Sequence, residues 1–191
     1  MNLDLDTRSG LPDDLRFLLE RYPREQWTGH TNLGRMARFW LERHAMFREL
    51  GAALRDATQT FREGALAAQE FHGWFAPRLQ FFLQQLNEHH HVEDFHYFPI
   101  FRAAEARLNR GFEVLERDHE ILHAGILQSV DSANEFLRNL QADRDKLRAA
   151  ADGYADVNGR LLKQMLRHLD DEEDLIVPLI LDRGEDKLGV G

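Results

Sequence analysis

Four long stretches of this chain place apolar residues three and four positions apart, and that spacing constrains the fold more than any other feature. Met36, Trp40, Phe47, Gly51 and Leu54 recur in this way in the first, and Phe75, Leu79, Phe82 and Leu86 in the second. Phe112, Leu115, Leu122, Ile126 and Val130 follow in the third, then Tyr154, Val157, Leu161 and Met165 in the fourth. Residues at this spacing line one face of an α-helix. No Val/Ile/Thr-rich alternation is long enough for a pair of strands, so the expected class is all-α.

The first helix is expected to start at Thr31 or Asn32, either of which can cap it, and to break at Glu63-Gly64. The second covers about 67–108 with kinks at Pro77 and Pro99, and the third runs from the Asn109-Arg110-Gly111 turn to near 140. The fourth extends from about Asp143 to Leu181. Short connections between four long helices predict an up-down-up-down four-helix bundle. The segment "LPDDLRFLLERYP", closed by Pro23, predicts a short extra N-terminal helix. The expected organisation is 1–29 for that helix and its connection, 30–182 for the bundle and 183–191 for a frayed tail.

A chain of 191 residues can bury a real core in one domain, about 70% of its unfolded surface. Its formal charge of −9 and pI near 5.5 oppose phosphate backbones and anionic lipid, so neither nucleic acid nor membrane is an expected partner. The absence of cysteine removes disulfides, thiolate metal sites and thiol catalysis. Any metal must therefore be held by nitrogen and oxygen. The opening "MNLDLDTRSG" is polar and acidic, and no apolar run approaches ~20 residues, so the expected location is cytoplasmic.

Ionisable residues interrupt the apolar stripes of all four helices: His44 on the first, His89 and Glu93 on the second, His119 on the third, His168 and Glu172 on the fourth. Unpartnered, each would cost several kcal/mol in a core, and a metal cluster removes that cost. His123 adds a second imidazole one turn beyond His119. A His and a Glu four residues apart project from one helix face about 6 Å apart along the axis, within reach of one metal or of adjacent ones. The pairs also repeat. His89 and His168 each stand ten residues before a proline, Pro99 and Pro178, and Glu93 and Glu172 stand six before. "RHAMFREL" around His44 and "DHEILHAG" around His119 repeat more loosely, 45 and 49 residues ahead of those pairs. A helix pair used twice, with two half-sites facing each other, is the expected arrangement.

The remaining histidines have plainer readings. His90 and His91 fall about 100° and 200° around the helix from His89 and are expected at the rim or exposed. His90 with Asp94 is the rival ligand pair at the same spacing, disfavoured by the alignment with the fourth helix. His96 reads as a packed histidine and His30 and His72 as local contacts near helix starts, and the plain alternative to a ligand role for Glu172 is that the acids around 170–174 form a solvated face. A ferritin-like carboxylate bundle needs Glu-x-x-His on the second and fourth helices, and the fourth has Met165 where that Glu should stand.

Across 30–182, with "HHVEDFHYFP" as its most specific stretch, the chain resembles the hemerythrin-like family, the HHE cation-binding domain, and is nearer its bacterial members than the blood pigments. The resemblance implies a non-heme di-iron centre inside four helices, oxo- or hydroxo-bridged, with ligands His44, His89, Glu93, His119, His123, His168 and Glu172. One iron would take His119, His123 and His168, the other His44 and His89, with Glu93 and Glu172 bridging. Such a nitrogen-rich set suits iron better than magnesium or calcium. The iron with fewer protein ligands would keep an open position for O2, bound or sensed. Chemistry on H2O2 or NO, and iron storage or donation, are the alternatives. Oxygen-carrying members place an Asp five residues after the fourth-helix His, whereas Glu172 comes four after His168.

Overall fold

A computed structural model describes residues 2–191, and among them there are helices and no strand. The helices are α1 (Phe17–Arg21), α2 (Arg24–Trp27), α3 (Arg35–Arg62), α4 (Ala68–Val92), α5 (Phe98–Ala104), α6 (Asn109–Arg138), α7 (Arg144–Arg183) and α8 (Glu185–Leu188). This is the expected all-α bundle with added N-terminal helix: α3, α4 continued by α5, α6 and α7 are the long helices. Residues 63–67 and 139–143 are connections short enough to make consecutive helices antiparallel. No helix among the described residues is long and apolar enough to cross a membrane.

The chain divides into two compact units, Met1–Ala45 with His89–Glu120 and Met165–Gly191, and Met46–Glu88 with Ile121–Gln164. The first unit packs Leu11, Leu15, Leu18 and Trp27 of the N-terminal segment with Trp40, Phe98, Phe101, Phe112 and the Leu175–Leu181 stretch of α7. The second has an aromatic core. There Phe61 stacks on Phe71 and Phe71 on Phe75, at centroid separations of 4.5 and 4.6 Å, with Phe136 and Tyr154 beside them.

Three local departures from the sequence expectation have physical causes. The helix expected to start at Thr31 or Asn32 starts at Arg35, because its free N–H groups find a distant cap: the Glu185 carboxylate accepts from Met36 N–H at 3.2 Å and Ala37 N–H at 2.8 Å. Gly34 leaves room for it, since a Cβ there would lie 2.1 Å from Glu185 Oε2. Residues 185–188, expected to fray, accordingly form α8, and Leu188 is buried. The N-terminal segment is broken into a 3-10 turn (Asp13–Leu15), α1 and α2, with Pro23 dividing the last two.

The second long helix opens into a π turn over Glu93–Tyr97, where Phe98 N–H donates to Glu93 C=O five residues back. Pro99, next along, has no N–H to give and its ring would crowd the carbonyl four residues back. The wider turn shifts the register at this point. Single π turns of this kind collect at functional sites. Pro77 and Pro178, by contrast, sit inside continuous α4 and α7.

Candidate metal centre

The first unit buries a cluster of imidazoles and carboxylates drawn from four helices. His44 comes from α3, His89 and His90 from the end of α4, Glu93 from the π turn, His119 from α6, and His168 and Glu172 from α7. His44, His168 and Glu172 are fully buried, and Glu93, His119 and His90 are at most 5% exposed. The donor atoms form two sets, each within 4.8 Å: His90, Glu93, His119 and His168, and His44, His89, Glu93 and Glu172.

Both glutamates span the sets. Glu93 Oε1 lies 2.8 Å from His89 Nε2 and its Oε2 lies 3.5 Å from His119 Nε2. Glu172 Oε1 lies 3.6 Å from His44 Nε2 and its Oε2 lies 3.1 Å from His168 Nε2. Within the sets, His44 and His89 bring their Nε2 atoms to 3.0 Å, and His119 and His168 to 3.1 Å.

Outer carboxylates aim these rings. His44 Nδ1 faces Glu173 Oε1 at 2.9 Å, His119 Nδ1 faces Asp94 Oδ1 at 2.7 Å, and His168 Nδ1 faces Asp118 Oδ2 at 3.3 Å. A proton on each Nδ1, donated to the acid, leaves the Nε2 lone pair directed into the cluster. The arrangement follows the internal repeat: the acid after each spanning glutamate, Asp94 or Glu173, holds a histidine of a facing helix. Trp40 Nε1–H donates to Glu172 Oε1 at 2.6 Å and fixes that carboxylate.

Several buried atoms have no hydrogen-bond partner, namely His90 Nε2, both Glu93 oxygens and Glu172 Oε2. Their close approaches to neighbouring rings lack hydrogen-bond geometry. Orphans of this kind cost about 1–3 kcal/mol each in a core. Burial, reinforced by neighbouring imidazoles, pushes His89 and His90 well below the usual range, which favours the neutral form that ligation requires. Burial and the facing Glu172 push Glu93 well above it. Burial opposes ionisation of Glu172 as well, but His44 and His168 outweigh it and hold that carboxyl low. His168 is pushed up to about 9, because Asp118 and Glu172 outweigh its desolvation. A bound cation would satisfy the orphaned atoms and favour the deprotonated donors. The nitrogen and oxygen donors fit a metal ion.

Two buried carboxylates shared between two clusters of imidazoles, in a helical bundle, define a metal-binding protein. The family model described as the hemerythrin HHE cation-binding domain matches residues 35–180, and the chain belongs to that family. No curated protein and no solved structure matches it.

The structure brings together His44, His89, Glu93, His119, His168 and Glu172. It does not bring His123. That residue is exposed on the α6 stretch of the second unit, its Nδ1 2.9 Å from Asn87 Oδ1. The buried face of α6 passes through Leu122 and Ile126, and His123 falls beside it. The third imidazole beside His119 and His168 is instead His90, which was expected at the rim and is 5% exposed. His90 and Asp94, weighed as a rival ligand pair, both serve the centre, the first inside the cluster and the second on His119. The acids of 170–174 are not a solvated face: Asp171, Glu172 and Glu173 are buried. His91, His96 and His72 are exposed, His96 edge-on to Tyr97, while His30 Nδ1 accepts from Asn32 N–H. The sequence reading gives no imidazole-orienting role to Asp94, Asp118 or Glu173, although two of them follow the repeated glutamates and Asp118 adjoins His119.

Proposed function

We propose that the centre holds two iron ions, one on His90, His119 and His168 and one on His44 and His89, with Glu93 and Glu172 shared. The protein binds or senses O2 at the second of these. The observation that carries the reading is the imbalance of three imidazoles against two around a pair of shared carboxylates. The imidazole spacing supports it: ligand nitrogens about 2.1 Å from a metal and at right angles are about 3.0 Å apart. When bound, the two irons supply the electrons that O2 needs.

The chain's own residues keep water from the set that holds His44 and His89. Trp40 lies against His44 and His89, with ring centroids 6.2 and 5.9 Å away, and Tyr97 and Phe101 back it at 5.1 and 6.1 Å. An aromatic lining excludes water and strengthens the electrostatics inside.

Protein purified without added metal is expected to carry two irons per chain. Reduced without oxygen and then exposed to air, it should develop visible absorption that disappears on deoxygenation. Two irons with no such change would refute O2 binding. Steady O2 release from H2O2, abolished in Glu93→Ala, would replace it with peroxide chemistry.

A further inference from the structure

The N-terminal segment lies outside the matched residues 35–180, yet two of its arginines reach the metal centre. We infer that this segment is a working part of the centre: Arg8 and Arg24 each grip the carboxylate that aims one ligand imidazole, one in each half-site. The inference rests on the assignment of His44 and His168 as ligands, and on neither the identity of the metal nor that of the gas.

Arg8 is fully buried at its side chain and forks onto Asp118, with Nη1 2.8 Å from Oδ1 and Nη2 on Oδ2. That Oδ2 is the oxygen facing His168 Nδ1. Arg8 Nε continues to Asp171 Oδ2 at 2.7 Å, and Asp171 also accepts Leu11 N–H at 3.1 Å, so the segment is tied to α6 and α7 together. Arg24 serves the other half-site. Its Nη1 meets Glu173 Oε2 at 2.8 Å, while Glu173 Oε1 holds His44 Nδ1. Arg24 Nε and Nη2 reach Asp174 Oδ1 at 2.7 Å and the Asp170 carbonyl at 3.0 Å.

The chemistry explains why a cation is needed at each place. Asp118 and Glu173 are almost fully buried at their side chains, and a buried carboxylate stripped of its positive partner is left uncompensated and turns towards other donors. That turn would release the Nδ1–H it accepts and let the imidazole rotate. Arg8 fixes the plane of Asp118 with paired hydrogen bonds, and Arg24 holds Glu173 through one. Asp94 on His119 provides the contrast. Its side chain is 31% exposed, and among the described residues no arginine pairs with it.

Cobalt(II) titrated anaerobically into the metal-free full chain, followed by visible absorption and calorimetry, tests this. Loss of an outer partner lowers metal affinity about 10–100-fold. Arg24→Gln should weaken one of the two cobalt ions by that factor and spare the other, Arg8→Gln should weaken the other ion, and Arg24→Lys should recover part of the loss. Because affinity and docking are reciprocal, cobalt should also slow amide exchange in residues 3–27 of the wild type and not in the variants.

Wild type that binds no cobalt would overturn the ligand assignment itself. Wild type that binds two ions, with both Gln variants unchanged or with both ions weakened equally, would overturn the role of the segment alone. Should Arg8→Gln fail to fold, Arg24→Gln carries the test, since that arginine is 41% exposed at its side chain.

Discussion

His90→Leu should make the metal-free protein more stable while weakening its hold on metal, and these opposite signs mark a ligand. His90 is neutral and buried with an orphaned Nε2, which costs about 1–3 kcal/mol that leucine does not incur. Leucine loses the stacking of His90 on His119, at 4.3 Å and 13°, and its edge contact with His168 at 5.3 Å, worth about 0.5–1.5 kcal/mol. The balance is a gain of about 1 kcal/mol, or about 2–4 °C in melting temperature for a chain of this length. Metal affinity should move the other way. Four-ligand structural sites are worth about 10–16 kcal/mol, so one ligand accounts for about 3–4 kcal/mol, a loss of two to three powers of ten. Thermal melts of metal-free protein and titration with ferrous iron under argon measure the two quantities. His123→Leu, at an exposed position, should shift stability by less than about 0.5 kcal/mol and leave affinity unchanged. Full metal binding in His90→Leu, or a metal-free form destabilised by about 2 kcal/mol or more, would refute the placement of His90 in the centre.

Removing metal from the loaded protein should lower its melting temperature by about 10–20 °C, because two ions each held at 100 times their dissociation constant add about 5 kcal/mol. Differential scanning with and without chelator checks this, and no change would show that metal is not linked to folding. The metal-free protein should lose stability as pH rises through about 9, since His168 has its folded pKa there and its unfolded value is about 6.5. Its contribution is complete below the lower value, so melts from pH 6 upward should decline in wild type and not in His168→Asn; parallel curves would contradict the assignment. Glu185→Ala should cost about 1–2 kcal/mol by uncapping α3, and Gly34→Ala should do the same by evicting the carboxylate. Denaturant melts measure it, and an unchanged midpoint in both would show that the cap contributes nothing.

The fold was legible because every long helix announces itself through the same three- and four-residue spacing, and the spanning glutamates because Glu93 and Glu172 keep one distance from Pro99 and Pro178. The choice between His90 and His123 was harder. His89 and His90 stand three and four residues beyond Leu86, so both fit the inward arc of one helix, and they divide between the two half-sites on either side of it. His123 stands one turn beyond His119, which is compatible with ligation by spacing alone. Its exclusion comes from Leu122 and Ile126, whose burial sets the rotation of α6. The cap from Glu185 and the reach of Arg8 across 110 positions to Asp118 join parts of the chain that no local pattern connects.

The repeat also accounts for the imbalance between the half-sites. His44 with His89 corresponds to His119 with His168, Glu93 to Glu172, and Asp94 to Glu173, each acid following its glutamate and holding a histidine of a facing helix. Carried through, the correspondence pairs His90, the residue after His89, with Leu169, the residue after His168. Leu169 is fully buried but has nothing to donate. One half-site therefore gains a third imidazole where its counterpart has an aliphatic side chain, so a nearly symmetric scaffold presents two unequal sets of donors. Symmetry in the helices supplies the shared carboxylates, and a single broken position makes the two sets of imidazoles unequal.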